Sequence, residues 1–382
     1  MKRLFLTQEH EMFRESLKKF LDKEAAPFYE KWEEEKQIPR AFWKKMGERG
    51  YLCPSTDEGY GGFGADFGYC VILAEELDKI GTGLASGVSL HNDIATPYIE
   101  SYAKEERKRE WLPKAVSGEM ISAIAMTEPG AGSDLAGIQT TAVKEGDSYI
   151  LNGEKTFITN GHSADIVVVV CKTDRNAAPK HRAISLLAVE TGMPGFTKGK
   201  KLSKMGHHAN DTSELIFENV RVPAENLLGE ENKGFYYLME KLQQERLIVA
   251  IQSISSIERM LELTVDYVKQ RKAFGKSISS YQNTRFKLAE LRTEFEMGRS
   301  FVDRLIEEHM AGRDITSEVS MAKWWTTELA RKTAMECMQL HGGYGYMEEF
   351  EIARRYRDSA VATIYGGTNE IMREIIARGM EL

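Results

Sequence analysis

Two neighbouring runs carry the densest chemistry in the chain: Ala123-Ile124-Ala125-Met126-Thr127-Glu128-Pro129-Gly130-Ala131-Gly132-Ser133-Asp134-Leu135-Ala136-Gly137 and Ile150-Leu151-Asn152-Gly153-Glu154-Lys155-Thr156-Phe157-Ile158-Thr159-Asn160-Gly161. Each joins an apolar run to a polar or Gly-rich turn. Asn152-Gly153 is a two-residue hairpin signal, because both central residues of such a turn need positive φ. Gly130, Gly132 and Ser133 let main-chain donors approach an anion with no Cβ in the way. Thr127 and Ser133 add hydroxyls on either side of Pro129. Phe157, Ile158 and Thr159 set an aromatic face beside another hydroxyl. Phosphate donors next to an aromatic plane suit a flat, phosphorylated cofactor. A plain β-hairpin with a Gly-rich turn is the competing reading.

Outward from this stretch the composition is that of a globular protein. The chain has 382 residues, 42% apolar and 29% charged, enough for two or three domains and a sizeable core. A net charge of -7, with no basic block, argues against nucleic acid as a partner. Cys53, Cys70, Cys171 and Cys337 lie far apart, with no C-x-x-C and no His pair at metal-binding spacing. That pattern predicts a reducing compartment and no metal site. Met1-Lys2-Arg3 is followed at once by Glu9, Glu11 and Glu15, so no signal-peptide core is expected. The longest apolar run, Ile166 to Cys171, is far short of a membrane span. Cytoplasmic residence is the expectation.

Periodicity divides the chain into three blocks. Residues 1–120 read as an N-terminal helical domain. Thr7 caps a first helix through Phe13, Leu17, Phe20 and Leu21 toward Pro27. Further helices are predicted over Pro39–Gly50, Asp66–Gly81 and Glu105–Val116. Gly59-Tyr60-Gly61-Gly62-Phe63-Gly64 matches a dinucleotide fingerprint in letters only, since Cys53-Pro54-Ser55-Thr56-Asp57-Glu58 before it is poor strand material. It reads as a turn between helices. Residues 121–230 form a middle antiparallel β domain, with strands at Ile166–Cys171, Ala183–Val189 and Glu214–Pro223. Residues 231–382 return to helices over Asn232–Arg271, Tyr281–Ala311, Ser317–Leu340 and Thr368–Met380. Gly81, Gly83, Ala85 and Gly87 are small enough to leave a deep cavity, or are plain turn residues.

The order Met-Thr-Glu-Pro-Gly-Ala-Gly-Ser-Asp, then Phe-Ile-Thr-Asn-Gly, resembles the flavin-binding region of the acyl-CoA dehydrogenases. Three later segments are similar to the same family: Arg271-Lys272-Ala273-Phe274-Gly275-Lys276, then Gln282 at the family's spacing, then Gln339-Leu340-His341-Gly342-Gly343-Tyr344-Gly345-Tyr346. Glu351 stands where the family usually has proline. The resemblance covers essentially the whole chain and implies an α+β fold. Its parts are an N-terminal α-helical domain, a middle antiparallel β domain and a C-terminal four-helix-bundle domain.

The resemblance also locates a departure. Many family members carry their catalytic glutamate at the position of Gly366, in Ile364-Tyr365-Gly366-Gly367-Thr368-Asn369-Glu370. The long-chain and isovaleryl-CoA enzymes instead place it at the position of Glu245, in Leu242-Gln243-Gln244-Glu245-Arg246-Leu247, with a small residue matching Gly366. Glu231 to Tyr237 and Tyr365 to Met372 look most like the long-chain branch. Read without the family, Glu245 would be an i,i+4 partner of Lys241, a solvated pair worth about 0.2–0.5 kcal/mol.

The resemblance implies α,β-desaturation of a fatty acyl-CoA, with Glu245 as general base and hydride transfer to N5 of FAD. The Gly366 N–H would bind the thioester oxygen. Ile124, Met126, Thr127, Gly132, Ser133, Phe157, Ile158, Thr159, Thr368 and Glu370 would hold the cofactor. Arg271, Phe274, Gln282, Gln339, Gly342 and Gly343 would serve the FAD of a partner subunit. Ser133, Gln243, Arg246 and Gly367 would touch the substrate. Electron transfer flavoprotein as acceptor and a homotetramer are implied in the same way. A branched or other acyl-CoA as substrate, an acyl-CoA oxidase and a non-catalytic family member are the alternatives.

Overall fold

Thr7 opens the first helix. Its side chain accepts the main-chain N–H of His10, and its own N–H donates to the His10 ring, a reciprocal cap. In the computed structural model, which describes residues 3–174 and 177–382, this helix begins a helical block that ends at Val116. Met1 and Lys2, where the expectation of no signal peptide begins, lie outside the described residues. The block comprises α1 (Gln8–Glu24), α2 (Tyr29–Glu35), α3 (Arg40–Glu48), α4 (Phe67–Ile80), α5 (Thr82–Ser89), α6 (Thr96–Tyr102) and α7 (Glu105–Val116). A single wide π-turn, Leu90–Ala95, joins α5 to α6. The glycine-rich stretch after Asp57 is a short turn between helices, with Asp57 accepting the Gly59 N–H. The glycines before and within α5 pack closely: a Cβ on Gly81 would run into the Tyr29 ring, and one on Gly87 would meet Ile38 at 2.9 Å.

The middle block is one eight-stranded sheet. Its strands are β1 (Ser122–Ala125), β2 (Thr141–Glu145), β3 (Ser148–Thr159), β4 (Ile166–Lys172), β5 (Ile184–Glu190), β6 (Phe196–Lys201), β7 (Thr212–Pro223) and β8 (Leu227–Leu228). The order is β6-β7-β3-β2-β4-β5-β8, with β1 beside β4. Most ladders are antiparallel. The β1–β4 ladder is parallel, and β2 meets β4 at one parallel pair, Thr141 with Lys172. On β4 the two faces alternate with period two. Ile166, Val168 and Val170 pack with Tyr98, Trp111 and Leu112 from α6 and α7. Val167, Val169 and Cys171 pack with Leu151, Leu215 and Phe217 from β3 and β7.

The hairpin predicted at Asn152-Gly153 is elsewhere. Glu145 pairs with Ser148, so Gly146 and Asp147 make the turn, and Gly146 takes φ 59°. β3 runs straight through Asn152 and Gly153. The Asn152 amide exchanges hydrogen bonds with Asn219 across a bulge in the β3–β7 ladder. Glycine is required at 153 because a Cβ there would lie 2.7 Å from the Thr140 Cα. The dipeptide signal was local, and a close crossing of strands used the same residue.

Beyond the sheet come α8 (Gly234–Gln270), the small ribbon β9 (Lys272–Ala273) and β10 (Lys276–Ser277), α9 (Gln282–Met310), α10 (Thr316–His341), α11 (Glu351–Asp358) and α12 (Asn369–Gly379). Among these, α8, α9, α10 and α12 build the bundle, and α11 packs on α8. One core joins α4 to the bundle through Val71, Ala74, Ile251, Ile254, Phe295 and Ala322. No described helix is long and apolar enough to cross a membrane, and no cluster of three metal-ligating side chains occurs among the described residues.

Glu351, at the position where proline was expected, starts α11 and receives both Arg259 and Arg355. Arg355 is fully buried. It ion-pairs with the equally buried Asp78 at 2.9 Å and donates to the Asp78 and Lys79 carbonyls at the end of α4. This knot fixes the bundle against the first block. Arg355→Met leaves the Asp78 carboxylate buried without its partner, so urea denaturation should report a loss of about 3–5 kcal/mol. A loss below about 1 kcal/mol would show that the knot is dispensable.

Candidate active site

Near its start, α8 turns Leu242, Glu245, Arg246 and Val249 inward, because positions three and four apart share one helix face. Glu245 is buried, and the Tyr98 hydroxyl donates to its Oε1 at 2.8 Å. No group among the described residues donates to Oε2. Burial raises the Glu245 carboxyl to about 7; the Tyr98 hydrogen bond and the Arg246 and Lys241 charges restrain that rise. The alternative Lys241–Glu245 surface pair does not form. Lys241 lies over the Tyr102 ring and beside Glu240. Tyr98 stands on α6, directly after the π-turn at Leu90–Ala95. Gln244 fastens that turn to α8 by donating to the Asp93 carbonyl at 2.7 Å.

The segment before α12 closes over the same face of α8. Gly366 and Gly367 both take left-handed φ, 66° and 91°, which glycine adopts at little cost. Arg246 Nε donates to the Gly366 carbonyl at 3.2 Å, and Lys323 Nζ to the Gly367 carbonyl at 2.7 Å. A Cβ on Gly366 would find only Val249, at 3.8 Å. Val249 lies one turn beyond Glu245, so position 366 abuts the helix face that carries the Glu245 carboxyl. Thr368 caps α12 by accepting the Ile371 N–H, and the exposed Glu370 follows it.

On the sheet side, Lys155 is completely buried between the Met126 carbonyl and Glu128, each at 2.8 Å. The Thr156 N–H donates to the Thr127 carbonyl at 3.0 Å. These bonds lay the Met126-Thr127 strand exit against the end of β3. Thr127 and Thr159 are half-buried there, Ile124 and Ile158 are buried, and Gly132 and Ser133 are exposed. Phe157 is 67% exposed at φ 61°, beside a bulge between Lys155 and Ile158. A large side chain in a left-handed conformation at a bulge is the kind of strain that functional sites hold. Cβ atoms on Gly130 and Gly132 would meet nothing within 4 Å. Hydroxyls, free space over glycines and one exposed aromatic face fit a phosphorylated flavin.

A second cluster lies on the far side of the bundle. Arg271, Gln339, Gly342 and Gly343 line a cavity of about 630 Å³ with Tyr267 and Tyr344. Phe274 is 97% exposed on the β9–β10 turn, outside that cavity, as is Gln282 at the start of α9. The Gln243 amide faces away from Glu245. It accepts the Ile315 N–H at 2.8 Å and donates to the Arg313 carbonyl at 3.1 Å, holding the α9–α10 turn.

Sequence reasoning missed Tyr98, Lys155 and Lys323. Tyr98 was hidden in an apolar helix. A lysine inside Ser320-Met321-Ala322-Lys323-Trp324-Trp325 was a legible signal, since a charge in an apolar run needs a buried partner.

Family models described as acyl-CoA dehydrogenase N-terminal, middle and C-terminal domain match residues 7–119, 123–220 and 232–381. The chain is 50% identical over 376 residues to the Sus scrofa protein named long-chain specific acyl-CoA dehydrogenase, mitochondrial, covering 98% of this chain and 87% of that one. It is similar to a solved acyl-CoA dehydrogenase from Geobacillus kaustophilus, at TM-score 0.99 and 64% identity over the whole of both chains. A glutaryl-CoA dehydrogenase from Mycobacterium smegmatis, solved in complex with FADH2, matches at TM-score 0.91 and 30% identity, over 98% and 95% of the two chains.

The raised carboxyl has a thermodynamic consequence. Glu245 favours the folded state fully below pH 4.5 and loses that contribution as the pH rises through about 7. By pH 8 the buried charge opposes folding by about 3 kcal/mol. Glu245→Gln should therefore unfold at higher urea than the parent at pH 8, with the gap closing toward pH 4.5. A gap that does not change with pH would contradict the raised carboxyl.

Proposed function

The chain belongs to the acyl-CoA dehydrogenase family, flavin-dependent oxidoreductases acting on CH–CH bonds, and we propose that it desaturates long-chain fatty acyl-CoA thioesters with Glu245 as the base. The observation that carries this reading is the convergence of Glu245 with the Gly366-Gly367 segment. A buried carboxyl near neutrality stands on the helix face against which the segment has no side chain.

The chain's own residues would act as follows. The substrate's thioester oxygen would rest against main-chain N–H groups of the Gly366 segment. Negative charge grows on that oxygen as the α C–H bond breaks, and fixed donors stabilise it without reorganising. Oε2 of Glu245 would take the α-proton while Tyr98 holds Oε1. A base near 7 both ionises at working pH and accepts a proton readily. Bound FAD would supply the acceptor for the β-hydrogen and its electron pair, leaving the enoyl thioester. Thr127, Ser133, Thr159 and Thr368 would hold that cofactor, with Phe157 along its ring system. Burial of Glu245 and Tyr98 keeps bulk water from the carboxyl.

Identity to the long-chain relative supports a long acyl chain. The open space at Gly366 also suits a branched acyl group, so isovaleryl-CoA is the control substrate. Arg271, Gln339, Gly342 and Gly343 are assigned to the cofactor of a second copy in a homotetramer, and electron transfer flavoprotein to reoxidation.

The holoenzyme should be bleached by palmitoyl-CoA without oxygen, and far less by isovaleryl-CoA. Glu245→Gln should keep its FAD and lose at least about 1,000-fold in bleaching rate. Bleaching at the parent rate in that variant would remove Glu245 as the base. The parent's rate should rise with pH through about 7. In Tyr98→Phe the carboxylate loses a hydrogen bond that favours its charged form, so this limb should move to higher pH. A limb that stays in place would mean that Tyr98 does not tune the base.

A further inference from the structure

Lys323 lies in the middle of α10 with no exposed surface. A buried ammonium is costly unless it is paired or fully hydrogen-bonded. Two other buried cations in this chain have carboxylates, Lys155 with Glu128 and Arg355 with Asp78. The bonds of Lys323 go to neutral acceptors: the Gly367 carbonyl at 2.7 Å and the Asn369 amide oxygen at 3.1 Å. Asn369 is itself held by Thr327 and Glu328, so the acceptor cannot swing away.

Arg246 and Lys323 thus grip the carbonyls of two successive residues. In a trans peptide the N–H points opposite to the carbonyl. Holding both carbonyls therefore turns the N–H groups of Gly367 and Thr368 away from the two cations. Among the described residues, the N–H groups of Gly366, Gly367 and Thr368 donate to no protein acceptor, main chain or side chain. Successive free N–H groups beside left-handed glycines make a concavity suited to an anionic oxygen.

We propose that Lys323 is a positioning residue for the reaction: a buried cation that, with Arg246, orients the Gly367 and Thr368 N–H groups beside the thioester oxygen and steadies the charge that grows there. This rests on the desaturation reading given above. Burial and the Arg246 charge bring the Lys323 ammonium down to about 8, against Glu370 and Glu328, which raise it. Desaturation therefore needs Glu245 ionised and Lys323 protonated, and the bleaching rate should fall again above about pH 8.

The test uses the FAD-loaded protein and two probes. Palmitoyl-CoA reports the rate of anaerobic bleaching. 3-Oxohexadecanoyl-CoA, whose α-proton is acidic, binds as its enolate and reports oxyanion stabilisation without needing base or hydride acceptor. Lys323→Met should slow limiting bleaching by about 10- to 100-fold, with palmitoyl-CoA affinity changed by less than about threefold, and should raise the pH at which the bound 3-oxo probe ionises. Lys323→Arg keeps the charge and should move the alkaline limb well above 8. Parent-like bleaching with an unshifted probe in Lys323→Met overturns the proposal. So does an alkaline limb unmoved in Lys323→Arg, which decides the matter alone if Lys323→Met does not fold. If no acyl-CoA bleaches the parent, the desaturation reading fails instead, and ionisation of the 3-oxo probe still decides the role of Lys323.

Discussion

One buried carboxylate organises the cofactor side of this protein. Glu128 accepts Lys155 Nζ at 2.8 Å and the N–H groups of Gln139 and Thr140, while Lys155 also holds the Met126 carbonyl. Burial works to raise the Glu128 carboxyl, but the Lys155 charge and these donors keep it below its ordinary value. A small-residue loop from Pro129 to Gly137 has little apolar surface with which to fix itself. The ion pair at its base does that work, so Gly130 and Gly132 can stay open to a ligand. An entirely apolar anchor would leave the Thr140 donor buried and unpaired, a penalty of about 1–3 kcal/mol.

On the opposite side the organising element is α8. It spans 37 residues, about 55 Å at the usual rise. Glu245 and Arg246 stand near its start, and Arg271 follows its end. One rigid rod therefore relates Glu245 to the cavity beside Gly342 and Gly343. A carboxylate carried by such a helix has its direction fixed by packing and by Tyr98. The left-handed Gly366-Gly367 segment contributes main-chain donors in place of a side chain, and a residue with a Cβ would be strained in that conformation.

Much of this was legible in order. The cap at Thr7, the stripes of α3, α4 and α7 and the apolar strands β4 and β5 were readable because each depends on neighbours a few residues away. The proposal that Glu245 replaces a carboxylate at Gly366 came from motif order. The hairpin at Asn152-Gly153 misled, since a bulge and a close crossing can use the residues that a turn uses. Helix α11 was silent, because it draws on Arg259 and Asp78 from distant elements.

By itself, the sequence determined the α–β–α order, the family resemblance and the candidate residues, Glu245 and Gly366 among them, on which the proposed chemistry rests. These follow from periodicity, turn chemistry and motif spacing, all of which act along the chain. Only the tertiary structure decided what each charge faces. Tyr98 meets Glu245 across 147 residues, and Lys323 meets Gly367 across 44. Burial sets the protonation of both groups, and burial is a property of packed elements that no local stretch contains.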